Sequence, residues 1–162
     1  MAVTSTSSKT FKDFISQLRA DFPELSFKAG AHDHWSPRNN TITYKAGESL
    51  REQKYSILHE LAHAQLAHTN YHNDFELLRL ESEAWELAAR LGRRYKVRID
   101  AEHIQNCLDT YRDWLHARSA CPTCSMNVLQ RDPHHYYCFN CLTQWRVTSG
   151  RFVRPYRRKI AQ

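Results

Sequence analysis

The sequence contains few residues that break secondary structure and no long apolar run. Only four glycines and five prolines occur in 162 residues, which argues against a disordered or low-complexity chain. No apolar stretch approaches the roughly 20 residues that a membrane-spanning helix requires. The first ten residues, MAVTSTSSKT, lack the apolar segment of a signal peptide. We therefore expect a folded, monomeric, cytoplasmic protein that does not associate with a membrane.

Acidic residues are absent from residues 142–162, so the whole formal charge of +6 belongs to this stretch. Its six basic residues are Arg146, Arg151, Arg154, Arg157, Arg158 and Lys159. They alternate with Trp145, Phe152 and Tyr156. Basic side chains neutralise phosphates and aromatic rings stack on unpaired bases, so this stretch is a candidate surface for DNA or RNA. A solvated hairpin face, or a contact with RNA polymerase, a ribosome or an acidic protein, would show the same pattern.

Cysteine is also scarce, and four of the five cysteines form two close pairs, CPTC and CFNC. These four are Cys121, Cys124, Cys138 and Cys141. The spacing C-x2-C-x13-C-x2-C predicts two knuckles that hold one structural zinc, with no open position for chemistry. Two disulfides would be the alternative, which a reducing cytoplasm disfavours. Ser125 and Leu142 stand where glycine usually follows each knuckle, so we expect slightly irregular turns.

The apolar periodicity before the cysteines predicts four helices and a small sheet. Helices are expected at about 9–22, 49–68, 74–95 and 101–118, with short strands between residues 25 and 45. Thr41–Lys45 alternates apolar and polar residues like an edge strand, which could bind a peptide by strand addition. The predicted class is α+β: a disordered tail at 1–8, a domain of four helices and a small sheet at 9–118, and a small zinc-ribbon β module with a basic tail at 119–162.

Residues 57–68 read ILHELAHAQLAH and contain the pattern H-E-x-x-H. His59 and His63 are four residues apart, so on a helix both imidazoles lie on one face and can bind a single Zn²⁺. Glu60 is then the candidate general base for a zinc-activated water. H-E-x-x-H is the zincin signature, so we expect residues 9–118 to form a zincin-like minimal metalloprotease domain. A helix that is merely rich in histidine is the other interpretation. The apolar setting favours the metal, because histidine and glutamate are costly to bury without a partner.

A catalytic zinc usually has a third protein ligand. The sequence ESEAWELA at 81–88 offers Glu83, which follows His63 by twenty residues, enough for a turn and a returning helix. Glu83 is preferred because Ala84 beside it indicates an inward-facing carboxylate. Glu81 and Glu86 remain alternatives. Tyr71 and His72, in the loop between the two helices, are candidates to stabilise the transition state.

HELAHAQLAH followed by ESEAWELAARL resembles the gluzincin-type ImmA/IrrE metallopeptidases over roughly residues 25–95. The resemblance implies a zinc peptidase whose third ligand comes from the second helix, at the position of Glu83, with Ala84 and Ala88 matching the family pattern. A looser similarity links the chain to SprT-like proteases, which combine H-E-x-x-H with a zinc ribbon. That similarity implies a downstream histidine as third ligand, for which His68 and His72 are available.

Two functions follow. The first is a zinc metalloendopeptidase with two zinc ions, one catalytic and one structural, localised to its protein substrate or to nucleic acid by the ribbon. The second is a non-catalytic zinc protein that acts as a nucleic-acid or protein interaction module. Glu60 favours the enzyme, because a structural zinc site has no need of a glutamate next to its first histidine.

Overall fold

The computed structural model describes residues 3–148 and 157–160, with side chains from Phe11 onward. The described helices are α1 (Val3–Asp21), α2 (Leu50–Gln65), α3 (Asp74–Arg94) and α4 (Ala101–Ser119). The described strands are β1 (Ser26–Gly30), β2 (His34–Ser36), β3 (Thr41–Lys45), β4 (Gln130–Asp132), β5 (His135–Tyr137), β6 (Gln144–Val147) and β7 (Arg157–Lys159). The predicted α+β class is confirmed. The bounds of α2, α3 and α4 lie close to those expected from the periodicity.

The first helix is longer than the sequence predicted. It begins at Val3, so residues 3–8 of the expected disordered tail are helical, while residues 1–2 lie outside the described residues. Its buried face carries Phe14, Ile15 and Leu18, and Leu18 is 0% exposed. The spacing of these three residues places them on one side of the helix, which packs inward.

Internal contacts divide the chain into two compact units. One unit comprises Met1–Thr69 and Glu83–Asp100, and the other comprises Asn70–Ser82 and Ala101–Gln162. The division passes through α3, which is one continuous helix. The sequence placed a boundary at Ser119, whereas in the structure α4 groups with the cysteine-rich region.

The first unit contains a three-stranded sheet in the order β1-β3-β2. β3 pairs with β1 in parallel and with β2 in antiparallel orientation, so it is the central strand. The expectation of an edge strand at Thr41–Lys45 is therefore wrong, and so is peptide binding by addition to that strand. The sequence missed β2, because three residues beside a polar turn carry little periodicity. With β2 in place, Thr41 and Ile42 are both buried.

The second unit contains the sheet β4-β5-β6-β7, and its core explains why α4 belongs there. Tyr136 stacks on Trp145 with ring centroids 5.4 Å apart. The Trp145 indole N–H donates to the carbonyl of Arg118 at 3.1 Å, at the end of α4. The Arg118 guanidinium lies over the Tyr136 ring and donates to the carbonyl of Pro133 at 2.9 Å. The last turn of α4 is thus part of the ribbon core.

Asp74, the first residue of α3, is joined to the same core. Its carboxylate accepts a hydrogen bond from the Tyr136 hydroxyl, and its backbone N–H donates to the side chain of Gln130 at 2.7 Å. Burial raises the pKa of Asp74, and burial together with the Asp74 carboxylate raises the pKa of Tyr136. Both groups therefore retain their protons more readily than they would in water.

Within the described ranges, none of the helices is sufficiently long and apolar to span a bilayer.

Candidate metal centres

The helix that carries the histidine pair begins with a capping box. The Ser49 side chain accepts the N–H of Glu52 at 3.2 Å, and the Glu52 carboxylate accepts the N–H of Ser49 at 3.1 Å. Farther along α2, the Tyr55 hydroxyl donates to the carbonyl of Arg98 at 2.6 Å. The capping box fixes where α2 begins, and the Tyr55 hydrogen bond fixes the rotation of the helix about its axis. Together they set the direction of the side chains in the following turns.

The structure brings His59, His63 and Glu81 together. Each of the three offers one ligand atom, and these atoms all lie within 4.8 Å of one another. The Nε2 atoms of His59 and His63 are 3.1 Å apart. Two imidazole nitrogens on one tetrahedral zinc are separated by roughly 3.4 Å, given Zn–N bonds of about 2.0–2.1 Å. The donor set of two imidazoles and one carboxylate, with this spacing, fits a single zinc ion.

Glu81, and not Glu83, is the glutamate in this group. Glu81 is 6% exposed and shares the buried face of α3 with Ala84 and Ala88, at spacings of three and seven residues. Glu83 is two residues farther on, a rotation of about 200° in an α-helix. The Glu83 side chain is 41% exposed, and its carboxylate lies 3.5 Å from Nε2 of His68. Ala84 beside Glu83 does not indicate an inward-facing Glu83 carboxylate, because the directions of adjacent residues on a helix differ by about 100°.

Trp85 forms one wall of the histidine pair, and the sequence reasoning missed it. Its ring stacks on the His59 imidazole with centroids 4.1 Å apart and an interplanar angle of 23°. Trp85 lies one helical turn after Glu81 and is 5% exposed. The i, i+4 spacing of a glutamate and a tryptophan on an apolar face was the available signal. The stacked ring limits rotation of the His59 side chain.

The remaining candidates lie outside the three-residue group. Glu60 is half-buried on α2. It follows His59 directly, about 100° around the helix, and lies three residues before His63. Tyr71 and His72 are exposed in the segment before α3, where the N–H of His72 donates to Glu76 at 2.7 Å. Glu86 is exposed on α3. The roles predicted for Glu60, Tyr71 and His72 stay predictions.

The four ribbon cysteines also converge. The sulfurs of Cys121 and Cys141 are 3.5 Å apart, as are those of Cys124 and Cys138, so neither pair is a disulfide. All four ligand atoms lie within 4.8 Å of one another. With Zn–S bonds of about 2.3 Å, tetrahedral sulfurs are separated by roughly 3.8 Å. The cluster therefore fits one closed zinc site, and the C-terminal region is compatible with a zinc-ribbon module.

The two knuckles have the same backbone geometry. Ser125 and Leu142 have φ angles of 61° and 60°, in the left-handed region. The N–H of Ser125 donates to the carbonyl of Cys121 at 2.9 Å, and that of Leu142 to the carbonyl of Cys138 at 2.8 Å. The turns are therefore regular, contrary to the expected irregularity. They use residues with side chains where glycine would be less strained.

The ribbon thiols differ in their affinity for protons. Hydrogen bonds from the Asn140 side chain and the Met126 backbone lower the pKa of Cys124 to about 6. Burial raises the pKa of Cys138 to about 11. Zinc binds thiolates, so metal binding must displace the proton of Cys138, and its affinity falls as the pH is lowered.

Four of the six basic residues that were predicted to bind nucleic acid lie among the described residues. Arg146, Arg157, Arg158 and Lys159 are exposed on β6 and β7. Arg157 donates to the carbonyl of Ala120 at 2.8 Å, so part of its role is structural. Arg151 and Arg154, together with Phe152 and Tyr156, lie outside the described residues.

Two imidazoles and a carboxylate on adjacent helices form a donor set that catalytic zinc sites use. The comparison with known families agrees with this class. Residues 20–115 match the family Peptidase_M78, the IrrE N-terminal-like domain. The match spans more than half of the chain, and the chain therefore belongs to this metallopeptidase family. No curated protein and no solved structure matches it.

Proposed function

We propose that the protein is a zinc-dependent metalloendopeptidase, with His59, His63 and Glu81 as the ligands of its catalytic zinc. The observation that carries this proposal is the convergence of these three side chains on the H-E-x-x-H helix of a Peptidase_M78 member. Zinc at such a site lowers the pKa of a bound water and polarises the scissile carbonyl. A second, structural zinc is proposed at the four cysteines.

Glu60 is the proposed general base. Its place in α2, between the two histidines in sequence and half-buried, supports this role. The carboxylate accepts the proton of the attacking water and delivers it to the leaving amine. Tyr71 and His72 remain the proposed donors to the oxyanion. The support is that both residues are exposed in the segment before α3.

The test is Glu60→Gln, with Glu86→Gln as the matched control on an exposed carboxylate. Hydrolysis of a quenched fluorescent peptide library should fall by at least about 100-fold in Glu60→Gln, the range of a missing general base. Zinc content by elemental analysis should stay at two per chain. Glu86→Gln should behave as the wild type. Undiminished hydrolysis in Glu60→Gln would overturn the proposed mechanism.

We also propose that the ribbon binds single-stranded DNA or RNA. The supporting observation is the outer face of the second sheet. In register across β5, β6 and β7 lie His135, Arg146 and Arg158, so the two arginines are directly opposite each other. Like charges in opposite positions destabilise a sheet unless an anion lies between them, as a phosphate would.

Aromatic rings accompany this charge. Tyr137 shares the outer face with Arg146, because the two positions differ by an even step in the register. The ring of Phe139, 81% exposed, lies 4.9 Å from the ring of Tyr137. Rings and guanidinium groups side by side supply the stacking and phosphate neutralisation that unpaired nucleotides require.

The test compares Arg146→Gln/Arg158→Gln with Lys159→Gln, a neighbouring cation on the opposite side of β7. The double variant should bind a labelled oligothymidylate more weakly. The slope of log K against log salt should decrease by about 0.7 for each phosphate that the variant no longer neutralises. Lys159→Gln should have a smaller effect. Equal weakening in both variants would indicate non-specific attraction and remove this face from the proposal.

A further inference from the structure

The C-terminus of α2 folds His68 back onto His63. Ala67 has a left-handed φ of 53°. The N–H of Ala67 donates to the carbonyl of Ala64 at 3.1 Å, and the N–H of His68 donates to the carbonyl of His63 at 3.0 Å. These two bonds are those of a Schellman motif, which brings the second residue after the cap onto the third residue from the helix end. That contact is commonly apolar, but here it joins two imidazoles with centroids 5.1 Å apart.

The ring atoms that meet determine where protons reside. The Nε2 atom of His63 faces Nε2 of His59, while its Nδ1 atom lies 3.0 Å from Nδ1 of His68. With metal at Nε2, the proton of neutral His63 is on Nδ1 and is donated to Nδ1 of His68. His68 must then carry its own proton on Nε2. That atom lies 3.5 Å from a carboxylate oxygen of Glu83.

We propose that His68 and Glu83 are positioning residues for the metal centre, acting through His63. His68 accepts the Nδ1 proton of His63, fixes the orientation of that ring and raises the basicity of its metal-binding nitrogen. Glu83 fixes the tautomer of His68. The His68 side chain is 9% exposed, so water is poorly placed to substitute for it. The inference rests on the proposed function only in that His63 must be a metal ligand.

This assignment also explains why two sequence candidates for the third ligand, His68 and Glu83, lie near the site without joining it. His68 approaches His63 from Nδ1, whereas the neighbouring ligand candidate His59 meets His63 at Nε2. The side chains of His68 and Glu83 therefore lie behind the ligand, in the place where hydrogen-bond partners of a zinc histidine are found.

The experiment measures zinc affinity at the histidine centre by chelator competition in the full-length protein. His68→Leu retains an apolar capping contact with residue 63 but cannot accept a hydrogen bond. It should weaken zinc binding by about 10- to 100-fold, the effect of removing such a partner. His68→Gln, whose amide oxygen can accept the bond, should recover part of that affinity. Zinc at the cysteines should be unchanged in both, because neither substitution lies at that centre.

Glu83→Ala and Glu86→Ala form a matched pair on α3. Glu83→Ala should weaken zinc binding by less than His68→Leu does, because Glu83 is one hydrogen bond farther from the metal ligand His63. Glu86→Ala, an exposed carboxylate, should bind as the wild type does. In addition, nitrogen-15 NMR of the zinc-loaded protein should show His68 protonated at Nε2.

His68→Leu that binds zinc within twofold of the wild type would overturn the inference and leave the proposed peptidase intact. A His68 protonated at Nδ1 in the zinc-loaded protein would do the same. A wild-type chain whose only zinc is held by the cysteines would overturn the proposed function together with this inference.

Discussion

The two candidate metal centres are built in different ways. The cysteine site is made from two short knuckles, and each knuckle is defined by hydrogen bonds within about five residues. The histidine site takes two ligands from one helix and its third, Glu81, from the next helix. A site built from short knuckles can be predicted from the spacing of its ligands in the sequence alone. A site shared between helices depends on the rotation of each helix, which packing decides.

The difference extends to what each metal would stabilise. Cys121 and Cys138 are themselves core residues of the ribbon, packed with Tyr136, Trp145 and Val147. His59 and His63 lie on a helix whose own core, including Ile57, Leu58 and Leu61, is fully buried without them. We therefore expect metal to be required for folding at the ribbon and for chemistry at the histidines.

The largest expected effect comes from removing a ligand at each centre. Cys138→Ser should unfold the ribbon, because a small metal module obtains much of its folding free energy from zinc, apparent values being about 10–16 kcal/mol in zinc-finger peptides. Hydrogen exchange should then show unprotected amides in β5 and β6. His63→Ala should release the other zinc yet retain the protection of α2. Equal deprotection at both centres would show that the two metals do not differ in this way.

A second, intermediate effect distinguishes Glu81 from Glu83, both on α3. Glu81→Gln should lower zinc affinity at the histidines by more than the roughly 10–100-fold that an outer hydrogen-bond partner contributes. Glu83→Gln should have a smaller effect, because its carboxylate lies beside His68 and outside the three-residue group. Chelator competition measures both. If Glu83→Gln is the more damaging variant, the assignment of Glu81 is wrong.

The smallest expected effect tests whether backbone conformation within a knuckle limits its stability. Leu142 is 53% exposed with a φ of 60°, so Leu142→Gly relieves backbone strain at little cost in buried surface. We expect a gain of at most about 1 kcal/mol, since the extra freedom of glycine in the unfolded chain offsets part of the relief. Met126→Gly, at an exposed residue next to Ser125 in the other knuckle and outside the left-handed region, should destabilise. Thermal unfolding of the zinc-loaded chain measures both changes, and a lower stability of Leu142→Gly would mean that the leucine side chain has another role.

Much of the local structure could be predicted. The helix bounds of α2, α3 and α4 follow from apolar periodicity, and Ser49 with Glu52 supplies a capping box. The cysteine cluster and the pairing of His59 with His63 follow from spacing, because both are set by one knuckle or one helix. The family membership was also visible in these motifs.

Other features could not be predicted in this way. β2 is only three residues long, yet its pairing moves Thr41–Lys45 from the edge of the sheet to its centre. The Arg118 side chain joins the ribbon core, which attaches α4 to that unit. Neither interaction has a periodic signature, because each depends on residues that meet only after folding.

The sequence by itself determined which side chains are available at each centre: four paired cysteines, two histidines one turn apart, and three candidate glutamates at 81, 83 and 86. Only the tertiary structure decided which glutamate joins the histidines and what lies behind them. The physical reason is that the direction of a side chain depends on the rotation of its helix about the helix axis. Packing of Ala84, Trp85 and Ala88 into the interior sets the phase of α3 and brings Glu81 inward, while the turn at Ala67 returns His68 to His63.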